Sequence, residues 1–283
     1  MKPERAFRKF TPAHILFYLI LTLWALTTVF PFFWVVVNSF KDKSLIQTDA
    51  FSLQFEATLE NYHKAFTRPP QSVWMAYANS LFISGLVTAG VILLAGMASF
   101  ALARYRFPGR RALWILVVAC LMFPVFSTIL PVYEMMAGLG LVNTPWSVIL
   151  PQIAGNLSFA ILLLSGYLQG IPLDLEEAAF LEGCGVRQVL FKIVLPVCRP
   201  ALATVGIFSF LWSYNDLFTQ LFFLRNPERW TITIFLNEVG SQFGTDYGMM
   251  CAVVTLIFVP VLLVYLLLQK NIVRGLTAGA IKG

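Results

Sequence analysis

Ser209, Trp212, Ser213, Asp216, Thr219 and Gln220 share one helical face within an otherwise apolar run, with Asn215 at its margin. A polar face inside lipid must look inward, and an ionisable residue at such depth marks a functional cavity by default. The combination has a definite chemistry. Amides and a carboxylate beside an aromatic ring, here Asn215, Asp216 and Trp212, match the hydroxyls and the apolar face of a sugar-like solute. The same residues admit a plainer reading, in which Asp216 lies near the membrane surface and caps a helix end or pairs with Arg225.

Other chemistry is excluded by inventory. His14 and His63 are the only histidines, and Cys120, Cys184, Cys198 and Cys251 have no paired spacing, so no metal site is expected. There is no pair of membrane aspartates and no serine with an evident base, so no catalytic residues are assigned. The phosphate loop G-x-x-x-x-G-K-[ST] is also missing. If ATP drives this protein, another chain binds it, and no cofactor is expected here.

A second polar stretch, Asp174 to Pro200, separates two strongly apolar segments. Asp174 with Glu177 three residues on has capping-box spacing, and Asp174, Glu176 and Glu177 suit the positive end of a helix dipole. Gly183 and Gly185 end or bend that helix, and Pro196 and Pro200 suit the first turn of the next. So short a helix buries too little to stand alone in water. Its Ala178 and Ala179 shoulder beside a carboxylate reads as a surface awaiting a partner.

The elements that must carry these residues are membrane helices. The chain is 58% hydrophobic and 12% charged, with a mean hydropathy of +0.77, where soluble domains carry about 25% charge. Six spans are expected, at about 14–37, 78–103, 113–133, 146–167, 201–223 and 249–268. The first is too long for a signal core and is not followed by a small-residue cleavage site. Gly85, Ala89, Gly96 and Ala103 form a small-residue stripe on the second span, and Pro124, Pro131, Pro151 and Pro260 are expected to kink spans. Fourteen of the Lys and Arg residues fall on the side of the termini and of the Asp174 stretch, and six on the other. That asymmetry puts both termini and the stretch in the cytoplasm. A pI near 9.2 then reflects loops facing anionic lipid rather than nucleic acid.

Glu177, Ala178, Ala179, Gly183, Ile193, Leu195 and Pro196 stand at the spacing of the EAA loop, and on these residues the chain resembles ATP-binding-cassette importer permeases. It departs from the usual pattern at Glu182, where Asp is usual, and at Cys184, where Ala is usual. Pro31, Phe32, Trp34, Asn38 to Lys41, Glu60 to Tyr62, Asn79 and Ser80 are similar to the sugar-importing branch, as is the tail from Gly275 to Gly283. They resemble its second permease subunit, of the maltose and glycerol-phosphate type. The resemblance implies an all-α fold with six membrane helices and cytoplasmic termini, in a bacterial or archaeal cytoplasmic membrane. It implies a coupling helix, over Asp174, Glu177, Ala178, Ala179, Glu182, Gly183, Cys184 and Gly185 with Leu195 and Pro196 behind it, that docks into an ATPase subunit. Gly279, Ala280, Lys282 and Gly283 would lie close to the ATPase dimer, and the loop from Leu224 to Gly248 would meet an extracytoplasmic solute-binding protein. A second permease, two ATPase subunits holding ATP and Mg, and a sugar complete the implied assembly. The coupling loop is shared by permeases for polyamines, phosphate, amino acids and peptides, and a proton-coupled secondary transporter using Asp216 is a further alternative.

Overall fold

The computed structural model describes residues 12–241 and 246–280. Those residues form helices and no strand. They divide into two compact units, one reaching to Ala65 and including Val239–Phe258, the other running from Phe66 to Glu238 and resuming at Val259.

The first unit opens with α1 (Pro12–Ser39), which is apolar around its whole circumference; none of its most hydrophobic window is buried. Its end is tied into a polar knot. Asn61 donates to the Ser39 and Lys41 carbonyls at 2.9 and 2.8 Å, and the fully buried Lys41 donates to the Ala50 carbonyl at 2.8 Å with its Nζ 5.3 Å from the Phe55 ring centroid. Ser39 and Tyr62 share a hydrogen bond of 2.7 Å. A Cβ on Gly248 would fall 2.7 Å from Asn61 Oδ1, so only glycine fits against that amide. The Asn38–Lys41 and Glu60–Tyr62 motifs therefore close the end of α1. Short helices α2 (Lys43–Thr48) and α3 (Glu60–Thr67) flank the knot, and the Asp42 carboxylate caps α2 at the Ser44 N–H.

The second unit is built on α4 (Val73–Arg104), which starts five residues ahead of the expected span. Ile83, Val87, Val91 and Ala95 recur every fourth residue and are buried. They pack in one core with Val148, Ile149, Ala160 and Leu164 of α7 (Trp146–Leu168) and with Ala201 and Val205 of a later helix. Close fit rather than escape from water holds such contacts in lipid. A Cβ on Gly90 would lie 2.5 Å from Ile153, and one on Gly96 would lie 3.0 Å from Leu195. Within this chain the expected small-residue stripe is only partly covered: Gly96 is buried, and Gly85 and Ala89 are exposed.

Between α4 and α7 the expected third span is broken. Helix α5 (Arg110–Cys120) stops, and α6 (Val125–Gly138) restarts after Pro124, whose φ −65 and ψ 129 are extended. Proline disfavours helical geometry in the residue before it, so a break replaces the expected kink. Beyond α7 come α8 (Asp174–Leu181), α9 (Val186–Gln188), a π-helical stretch over Val189–Val194, and α10 (Leu195–Val197). Pro196 lacks an N–H and would press on the carbonyl of Lys192, and the wider π turn relieves that conflict. At Cys198 the chain bends by 79° into α11 (Arg199–Asn215). The expected fifth span ends there and resumes as α12 (Phe218–Phe223).

Helices α13 (Ile232–Ser241) and α14 (Tyr247–Ala280) complete the chain. Among the described residues three helices, His14–Ser39, Val73–Arg104 and Trp146–Leu168, are long and apolar enough to cross a membrane, and the bent Val186–Val197 and Arg199–Asn215 pair can supply a fourth. Gly279 and Ala280 fall in the last turn of α14, while Lys282 and Gly283 lie outside the described residues.

Candidate functional site

Helix α8 is short and mostly exposed, and it presents acidic residues. The expected capping box is not formed: Leu173 occupies the N-cap, Asp174 is already helical, and no side chain caps the first turn. Glu176 instead turns inward. Its Oε1 lies 2.7 Å from Arg104 Nε, with side-chain exposures of 6% and 9%, and Arg104 Nη2 donates to the Ile171 carbonyl at 3.0 Å. Ala179, one turn along, joins a core of Phe100, Leu168, Val189, Leu190, Val194 and Cys198.

The far end of α8 follows from Gly183. At φ +85 it is left-handed, where a side chain is strained, and the Gly183 N–H reaches the Phe180 carbonyl while the Cys184 N–H reaches that of Ala179, both at 3.0 Å. The Gly185 N–H then meets Gln188 Oε1 at 2.9 Å to start the next turn. What remains outside is a face of Asp174, Glu177, Ala178 and Glu182 with Leu181, which is 90% exposed. Leu195 packs behind, against α4 at Gly96, with Pro196 in the turn that follows.

The polar face near the end of α11 divides in two. Asp216 is half-buried and works as a helix cap and network acceptor: Oδ1 accepts from the Thr219 N–H at 3.1 Å and Oδ2 from Gln152 Nε2 at 2.8 Å. Gln152 Oε1 in turn accepts from Ser213 Oγ at 2.6 Å, and Gln220 Nε2 donates to the Ser213 carbonyl at 2.7 Å. Thr231 and Thr233 hydroxyls close on Gln220 Oε1. The Arg225 partner does not materialise; that guanidinium sits 5.3 Å over the Tyr133 ring. Ser209, Ser213 and Gln220 are buried, and Thr219 is half-buried.

Trp212 and Asn215 are exposed instead. Trp212 is braced by Phe159 at 5.0 Å and Phe208 at 5.6 Å between ring centroids, and the residue remains 47% exposed. Sequence reasoning missed Arg104, Gln152, Phe159 and Phe208, and gave Glu176 only a dipole role. No local signal marked Glu176: its face carries Ala179, which is buried, while the face of Glu177 carries the more apolar Leu181, which is exposed.

Nearby, the loop after α12 is pinned in place. Asn143, at φ 63, accepts from the Arg225 and Asn226 N–H groups at 3.1 and 2.8 Å. Asn79 donates to the Glu228 and Trp230 carbonyls, and Gln71 to that of Trp230. Arg225, Glu228 and Arg229 stay exposed on this fixed loop.

Long apolar helices carrying an exposed acidic projection and an internal polar junction define a multi-pass membrane protein of helical type. The chain belongs to the binding-protein-dependent transport system inner membrane component family, whose sequence model matches residues 92–278. It is 32% identical over 265 residues to the diacetylchitobiose uptake system permease protein of Streptomyces coelicolor, covering 93% of this chain and 87% of that one. It is 33% identical over 269 residues to the galactooligosaccharides transport system permease protein of Bacillus subtilis, covering 94% of each. In structure it is similar to a chain of a bacterial ABC transporter involved in the import of the acidic polysaccharide alginate, with a TM-score of 0.81 at 22% identity over 92% of this chain and 98% of that one. The fold is therefore that of an importer's transport component rather than of a catalytic subunit.

Proposed function

We propose that this chain is the membrane-spanning permease subunit of an ATP-driven, binding-protein-dependent sugar importer in the cytoplasmic membrane of a bacterium or archaeon. It crosses the bilayer six times with both termini and α8 in the cytoplasm, a topology supported by the fourteen-to-six split of Lys and Arg. A second permease encloses the path with it. Two ATPase subunits, holding ATP and Mg, grip the two permeases, and an extracytoplasmic binding protein delivers the solute to the outer loop around Arg225 and Arg229.

The outward face of α8 carries this reading. A leucine left 90% exposed among carboxylates, on a helix of eight residues, fits a contact completed by another protein. Leu181 supplies the apolar anchor, Asp174, Glu177 and Glu182 meet basic groups of the ATPase, and Ala178 allows close approach. The resemblance also assigns the Gly279–Gly283 segment to the neighbourhood of the same subunits. Closure of the ATPase pair on ATP displaces α8, and the bundle follows as a body.

The sugar reading draws on the relatives for diacetylchitobiose uptake and galactooligosaccharides transport, and on Trp212. Its braced indole offers an exposed aromatic face, with the exposed Asn215 three residues further along the same helix, residue types that suit a sugar ring. Asp216, Ser209, Thr219 and Gln220 shape the path from behind that surface.

The deciding substitution is Glu177→Lys. Placing like charge in the docking face costs several kcal/mol, so ATPase recovered with the tagged permease falls at least about 30-fold and ATP-dependent uptake disappears. Recovery and binding-protein-stimulated hydrolysis at wild-type levels would refute the docking role.

A further inference from the structure

We propose that the buried Arg104–Glu176 pair is the link through which movement of α8 is transmitted to the membrane core. This inference rests on the importer reading and adds to it a residue pair on the side of α8 that faces away from the ATPase.

Two of the eight residues of α8, Glu176 and Ala179, are buried. Ala179 offers one methyl group to the core, a contact without direction. The Glu176 carboxylate offers direction: it meets Arg104 Nε at 2.7 Å, and Arg104 is the last residue of α4, the 32-residue helix around which α7 and α11 pack. The other arm of the guanidinium holds the Ile171 carbonyl at 3.0 Å, on the strand of chain that leads into α8. One rigid planar group thus fixes both the entry to α8 and its first turn to the end of the central helix.

Thermodynamics points the same way. A buried ion pair gains little net stability over an apolar contact of equal volume, because both charges are stripped of water, yet removing one partner leaves the other stranded. Such a pair suits a joint whose geometry must not drift. Glu177, next in sequence, faces outward. Adjacent carboxylates on one turn therefore divide the work, Glu177 receiving the ATPase and Glu176 passing its displacement on.

The test uses the reconstituted complex of both permeases and the ATPase subunits, with hydrolysis measured with and without the complex's own extracytoplasmic binding protein. Stimulation by that protein is a signal crossing the membrane in the reverse direction through the same joint. Glu176→Gln keeps the shape and removes the charge. ATPase recovery and basal hydrolysis stay within about two-fold, while stimulation drops about ten-fold, within the range a coupling contact commands. Arg104→Lys keeps the charge but loses the second arm, and retains an intermediate stimulation. A merely structural role would lower basal and stimulated rates together at constant ratio, and that result overturns the link. Failure of Glu176→Gln to assemble assigns the pair to folding and overturns it equally. A wild-type complex without stimulation instead sinks the importer reading on which the link rests.

Discussion

Helix α8 and the α11–α12 junction carry similar residue types and use them in opposite ways. In and just after α8 the carboxylates of Asp174, Glu177 and Glu182 are exposed, and the helix buries only Glu176, in its ion pair, and Ala179. At the junction Asp216, Gln152, Ser213 and Gln220 spend their hydrogen-bonding capacity on one another and on the backbone. The first region leaves its polar groups turned outward; the second satisfies them internally. Polarity within an apolar chain thus has two meanings, and the number of satisfied partners separates them.

The comparison is broken most readily at Asp216. Asp216→Ala removes a helix cap and strands the Gln152 amide, at a cost of about 2–3 kcal/mol in thermal or denaturant unfolding of the detergent-solubilised complex. Combined with Gln152→Ala, the loss falls short of the summed single losses by about 1 kcal/mol, because both remove the same bond. Strict additivity would show that the junction is not a network. Gly183→Ala is next: forcing a Cβ into the left-handed region costs about 1 kcal/mol and weakens ATPase binding about five-fold, with the core unfolding unchanged. The smallest effect belongs to Asp174→Ala. With no cap bond to lose, the stability of the permease moves by less than about 0.5 kcal/mol, and a larger drop would reinstate the capping box.

Much of the fold is legible in the sequence because it depends on local pattern. Long apolar runs give α1, α4 and α7, and Gly183 announces the end of α8 through the one conformation that favours glycine. Pro124 signals a disturbance, but a proline reports only on its own neighbourhood, so whether the chain kinks or breaks there is decided by packing. The site is less legible. Asp216 stands out as polar within an apolar run, yet its partner Gln152 is 64 residues away, and no periodicity connects them. Glu176 and Glu177 are chemically identical neighbours. What separates them is an arginine 72 residues earlier at the end of another helix.

The seclusion of the Arg104–Glu176 pair has a practical consequence. Dissolved ions screen the exposed carboxylates of α8 but reach a pair with 9% and 6% exposure only weakly. If α8 docks an ATPase as proposed, raising ionic strength loosens that grip while leaving the ion pair beneath it intact, so that salt separates the act of holding the permease from the act of moving it.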